Sequence, residues 1–190
     1  MAFWKTKMTY KKMNLLWITL FATAWMHGQK LYTKTGVLNF EASVETFEAV
    51  KATNDGTTVV LDCSNGRIAA LALIRGFHFK NALMEEHFNE NYIESNEYPK
   101  ASFRGDLENF DYETLDKKET SFTLKGNLTI RGISKSIETQ AVMSKTDDGT
   151  TLSLSFVVSP SDFDIKIPAP VKNKIAQEII VSTDLLLIER

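Results

Sequence analysis

His87 follows directly on Glu85 and Glu86, so an imidazole and two carboxylates crowd into three consecutive residues. Such a trio could ligate a metal or relay a proton. Adjacent glutamates, however, point to different sides of a helix, and no spaced His-x-x-x-His pair completes a metal set. His87 is expected instead to pack beside Leu83 and hydrogen-bond through one ring nitrogen. Cys63 is the single cysteine. It and His78 lie in separate segments with no nucleophile motif around either, and no Gly-x-Ser-x-Gly elbow occurs. Catalysis is therefore not expected, nor is a metal or cofactor. Arg75 shares parity with Leu71, Leu73, Phe77 and Phe79, and a guanidinium on an apolar face could meet a phosphate or carbonyl head group. A bend at Gly76 would turn it to water instead. Arg131 and Lys135 read as solvated strand and turn residues.

The elements that would position these groups are mostly strands. Phe122, Leu124, Leu128 and Ile130 alternate with polar residues, as do Leu152, Leu154, Phe156 and Val158. Ile179, Val181, Leu185 and Leu187 share one parity. Period two marks strands with one buried and one wet face. Further strands are expected over 36–42, 57–62, 67–79, 101–107 and 136–144, with a short one over 162–165. Turns are expected at Asn54-Asp55-Gly56, Ser64-Asn65-Gly66 and Asp147-Asp148-Gly149. Residues 105–118 read as a long hairpin or loop. In 67–79 both parities are apolar. The larger side chains, Leu71, Leu73, Phe77 and Phe79, are assigned to the interior.

Two short helices break the pattern. One is expected over 81–91, with Asn81 as its cap and Glu85 and Glu86 near its positive end. Leu83 with His87, and Met84 with Phe88, stand four apart and give it an apolar, aromatic face. A second is expected over 171–177, after Pro170. Many strands, short turns and little helix predict an all-β fold, an antiparallel barrel or sandwich.

A closed barrel of about eight strands either fills with its own side chains or holds one slender ligand. The chain has 12 phenylalanines, and Phe40, Phe77, Phe79, Phe103, Phe122 and Phe156 fall on the inward parity, with Phe88 joining from the helix. An aromatic-lined interior suits a linear apolar chain, which gains roughly 0.8 kcal/mol per methylene removed from water. The same stripe would equally serve as plain core.

Two segments carry a resemblance. The helix and Tyr-Pro turn over 87–103, and the run Gly126, Leu128, Thr129, Gly132 and Lys135, together resemble the YceI family. The likeness extends over residues 30–190. It implies a lipocalin-like barrel that holds a long isoprenoid or quinone-like lipid in the periplasm. The expected lining is Phe40, Leu73, Arg75, Phe77, Phe79, Leu83, Met84, Phe88, Phe103, Phe122, Leu124, Leu128, Ile130 and Phe156.

The amino terminus agrees with export. Lys5, Lys7, Lys11 and Lys12 precede an apolar run over 15–26, LLWITLFATAWM, and no acidic residue comes before Glu41. This reads as a signal peptide over 1–28, cut after Gly28 or Ala24, and the run is short of the ~20 residues that span a bilayer. Residues 29–190 then form one domain. Removing the four lysines leaves 18 basic against 24 acidic residues, a net charge of −6, which argues against nucleic acid as a partner. One cysteine allows no intrachain disulfide. The apolar run over 185–188 is compatible with a homodimer.

Two rival readings stand beside the lipid carrier. A packed barrel would act through its surface as a partner-binding or structural protein. An enzyme or redox carrier acting on a quinone would direct a polar group such as His78 or Arg75 into the interior.

Overall fold

In the computed structural model the described residues are 29–189, so the signal-peptide reading of 1–28 lies outside them. Among the described residues nine antiparallel strands form: β1 Lys30–Glu41, β2 Lys51–Asp62, β3 Arg67–Leu73, β4 His78–Phe79, β5 Lys100–Leu107, β6 Thr120–Ile130, β7 Ile133–Thr146, β8 Gly149–Val158 and β9 Ile179–Glu189. One α-helix, α1, covers Ala82–His87. The strands follow each other around a ring that β1 closes by pairing with both β2 and β9. The two-residue β4 continues the line of β3 along β2. The result is the expected all-β antiparallel barrel of eight staves, and among the described residues one of the two expected short helices accompanies it.

Side-chain alternation explains β6, β8 and β9 directly. It fails where a strand carries an extra residue. In β2 the buried positions run Ala52, Asn54, then Thr57, Val59, Leu61, so the inward parity flips across Asp55-Gly56. In β1 they run Leu31, Thr33, then Gly36. The β1–β2 register shifts on both sides of Gly36, as paired bulges require. The expected turn at Asn54-Asp55-Gly56 is therefore a bulge inside β2. Its cause is Asn54, 1% exposed, whose amide nitrogen donates to the Leu73 carbonyl at 2.9 Å and whose oxygen accepts from Gly56 N–H at 2.9 Å. An amide so satisfied can be buried, and it locks the kink in place.

Three further expectations are corrected. Residues 162–165 do not form a strand. Pro160 starts a tight 3₁₀ turn, Pro160–Phe163, that drives Phe163 into the interior. The 171–177 helix is replaced by a single 3₁₀ turn, Ala169–Val171. The chain beyond is drawn across the barrel end, where Ala176 N–H donates to the Ala42 carbonyl at 2.9 Å. So short a helix would be marginal without packing on one face. Arg131 is not a solvated turn residue, as shown below.

The barrel has two unlike halves. Toward the β2–β3 and β7–β8 turns, Leu31, Leu61, Leu107, Phe122, Ala141, Met143 and Leu187 fill the interior. The 108–119 connection plugs that end. Leu115 is 3% exposed there, and Phe110 and Tyr112 pack on the same cluster. Lys145 Nζ stands 4.2 Å from the Tyr112 ring centre and donates to the Tyr112 carbonyl. The other half is hollow.

Candidate functional site

The hollow half holds a cavity of about 580 Å³, within the range of small-molecule sites. Val59, Ile68, Leu124, Leu152 and Leu185 form its floor, belonging both to the packed cluster and to the cavity wall. Beside them the Phe103 ring covers a cross-strand glycine pair, Gly105 and Gly126. A Cβ on Gly126 would stand 2.4 Å from the Arg104 carbonyl oxygen and 2.6 Å from the Phe103 ring. The close approach of strand and ring therefore requires glycine there.

The wall is aromatic on one side. Phe88 sits 5.2 Å from Phe79, 5.4 Å from Phe40 and 5.8 Å from Phe77 between ring centres, in tilted or edge arrangements. Each ring arrives by a different device. Phe40 follows the β1 bulge. Phe77 and Phe79 follow a 3₁₀ turn, Ile74–Gly76, which flips the inward parity. Phe88 begins a π-turn, Phe88–Tyr92, that continues α1. Asn81 caps α1 as expected, its oxygen accepting from Leu83 N–H at 3.0 Å. Glu85 turns back to accept from Phe79 N–H at 3.0 Å, with His78 Nδ1 at 3.5 Å. One carboxylate thus ties the helix to β4.

Of the residues expected to line the interior, eleven do so: Phe40, Phe77, Phe79, Leu83, Met84, Phe88, Phe103, Leu124, Leu128, Ile130 and Phe156. Three do not. Leu73 is 51% exposed, because β3 turns Ile68, Ala70 and Ala72 inward and Leu71 and Leu73 outward. Register decides this: Leu61 and Val59, both buried, pair with Ile68 and Ala70. Arg75 lies within the 3₁₀ turn, faces solvent and donates to Asn96. Phe122 is buried below the floor, edge-on to Phe110 at 5.3 Å.

Several lining residues were not singled out from sequence: Ala70, Ala72, Tyr92, Ile93, Phe163, Ile165, Ile167, Val171 and Ile175. The alanines carry the usable signal. Small side chains on an inward face leave room rather than fill it. Arg131 was also missed. With Gly132 it makes a two-residue hairpin turn, both at positive φ, 49° and 74°. Its guanidinium is 17% exposed, pairs with Glu94, donates to the Asp164 carbonyl and lies over the Tyr98 ring, 5.5 Å to its centre. It joins three segments around the cavity's mouth.

Polar groups within the cavity are few and mostly committed to protein partners. Thr183 Oγ1 donates to the Val37 carbonyl at 2.6 Å, and Thr139 Oγ1 donates to the Ser155 carbonyl at 2.7 Å. Burial pushes the Tyr92 phenol up, keeping it neutral. Charged groups, Glu48 and Lys174, appear only among the residues of the opening. Burial and the neighbouring Asp62 charge push the Cys63 thiol up to about 11, which makes it a poor nucleophile. Among the described residues no group of three His, Cys, Asp or Glu side chains could hold a metal. The arrangement can exclude water from an apolar chain.

A family model described as a YceI-like domain matches residues 22–187. No curated protein sequence matches the chain. Among solved structures, a polyisoprenoid binding domain from Saccharophagus degradans, implicated in plant cell wall breakdown, superposes with a TM-score of 0.72 at 13% identity, covering 86% of this chain and 99% of that one. BcnA of Burkholderia cenocepacia gives 0.64 at 12% identity, over 80% and 94%. The YCEI protein of Campylobacter jejuni gives 0.59 at 19% identity, over 76% and 86%. At these identities the three structures establish a shared fold.

Proposed function

The chain belongs to the YceI-like domain family, and from that premise we propose that its barrel takes up the tail of a long isoprenoid or quinone-like lipid in the periplasm. The observation that carries this reading is the apolar cavity of about 580 Å³ in the open half. Ile130 at the mouth and Leu124 at the floor lie on one strand. At ~3.3 Å per residue and a tilt of ~40°, that stretch gives a depth of ~15 Å. The aromatic wall would bury the inner part of a tail, while Lys174 and Glu48 at the opening would stay with water and head group. The ligand class of the similar Saccharophagus degradans domain, a polyisoprenoid, supports the same assignment. Export through cleavage of residues 1–28 belongs to the proposal, as does a homodimer through the outward Leu186 and Ile188, which Ile188→Lys should split on sizing columns.

The deciding experiment is native mass spectrometry of the protein recovered gently after expression of the full chain, followed by solvent extraction. A stoichiometric isoprenoid or quinone is expected. A clean apo mass that persists after offering isoprenoid lipids would sink the proposal. The quinone-enzyme reading has less support, because His78 and Arg75 both face solvent.

A further inference from the structure

Four side chains are the most exposed large apolar ones on the described surface: Leu83 at 57%, Leu73 and Val157 at 51%, and Ile180 at 50%. All four stand at the cavity's open end. Leu73 ends β3, Val157 is next to last in β8, Ile180 is second in β9, and Leu83 lies in the first turn of α1. Val157 and Ile180 are direct cross-strand partners. β3 lies opposite β8 in the ring, with three staves between them on either side. The apolar groups therefore flank the mouth on both sides. Phe47, 40% exposed, joins them from the β1–β2 connection. Phe47 and Leu83 also line the cavity, so these two side chains connect its apolar wall to the rim.

Single exposed apolar residues are ordinary; several of them on opposite sides of a lipid-sized opening are not. We propose that this rim docks on the surface of a lipid bilayer, mouth toward the membrane. The inference rests on the lipid reading of the cavity. A tail leaving a bilayer through such a contact enters the barrel without crossing water, which would otherwise slow transfer roughly fourfold per exposed methylene. A bilayer fits better than a protein partner. The exposed groups flank a hole on opposite sides rather than form one flat patch, and a fluid surface conforms to that shape. Exposed Glu48, Glu86 and Glu90 at this end are balanced by exposed Lys80, Lys100, Lys172 and Lys174, so no single charge dominates the rim, and the net charge of −6 over residues 29–190 directs the contact to neutral rather than anionic lipid.

The test separates docking from ligand binding. The variant Leu73→Ser/Val157→Ser/Ile180→Ser changes rim residues that do not line the cavity. Wild type should float with phosphatidylcholine vesicles, and the variant should lose at least tenfold in that partition. Both should take up farnesol offered from solution. Equal flotation of the two overturns the docking proposal, and so does a wild type that stays at the bottom of the gradient. Failure of both to take up farnesol strikes the lipid reading, because flotation is read without ligand. A second probe guards against a misfolded variant. The three tryptophans of the chain are Trp4, Trp17 and Trp25, so after removal of 1–28 the variant Ile180→Trp carries a sole reporter. Its emission should shift to the blue when phosphatidylcholine vesicles are added, and no shift overturns the proposal.

Discussion

The closed and open halves of this barrel share the same eight staves and the same inward periodicity, yet one is solid and the other empty. In the closed half, Leu61, Met143, Leu152 and Leu187 are fully buried and touch across the axis. In the open half the inward positions of β3 are Ala70 and Ala72, and the large rings of Phe40, Phe77, Phe79 and Phe88 stack on one another along a wall. Alternation tells which side chains face in. Whether they meet depends on their size and on what closes each end. The 108–119 connection plugs one end with Leu115, Phe110 and Tyr112. The helical and 159–178 segments skirt the other and leave it open.

The largest effects should come from opening the solid half. Met143→Ala is expected to cost about 2–5 kcal/mol, since the void has nowhere to collapse. Phe156→Ala removes a side chain that already faces empty space, so it should cost less than half as much. Urea denaturation compares them, and equal losses would erase the distinction between the halves. Overpacking runs the comparison in reverse. Ala141, fully buried, has no room, and Ala141→Phe should cost about 1–3 kcal/mol or more. Ala70→Phe points into the cavity. It should leave stability nearly unchanged while abolishing uptake of an isoprenoid probe, measured by native mass spectrometry.

This division was half legible in the sequence. The strands of 120–158 and 179–189 were readable because their alternation is unbroken. Parity in β3 was not, since both of its faces are apolar and the turn at Ile74–Gly76 shifts the frame by one residue before Phe77 and Phe79. Such a shift sends every side chain to the other face. Leu73 and Arg75 were misplaced for that reason. Phe122 was rightly placed inside, but periodicity carries no information on depth along the axis, so it could not be told from a cavity residue. Arg131 was hidden by distance. Its partners Glu94 and Asp164 lie far off in sequence, and only the fold brings them together.

Arg131 offers the next, smaller test. Removing its guanidinium leaves Glu94 and the Asp164 carbonyl without their donor. Glu94 is 45% exposed and water can take over part of the role. Arg131→Met should therefore cost only about 1–2 kcal/mol. The loss should be local. Hydrogen exchange should quicken in α1 and around Ser95 while Leu61, Met143 and Leu187 keep their protection. Uniform acceleration through both halves would mean that the clamp supports the whole barrel rather than its mouth.

The smallest effect lies at the closed end. Cys63 is half-buried, and its thiol is held near 11 against an ordinary 9.0, first by burial and then by the Asp62 charge. The folded state thus keeps its proton longer than the unfolded chain does. Stability contributed by the neutral thiol is complete below pH 9 and declines as pH climbs from 9 toward 11, because the unfolded state gains by ionising first. Denaturation curves should show this decline in wild type, and Cys63→Ser should flatten it. The same raised value predicts alkylation by iodoacetamide at pH 8 on the order of 100-fold slower than for a free cysteine. Neither rate nor slope should change when the cavity is loaded or when Ala70→Phe fills it, because the floor of packed leucines stands between them. A thiol that responds to ligand would mean that the floor yields, and that the two halves are coupled.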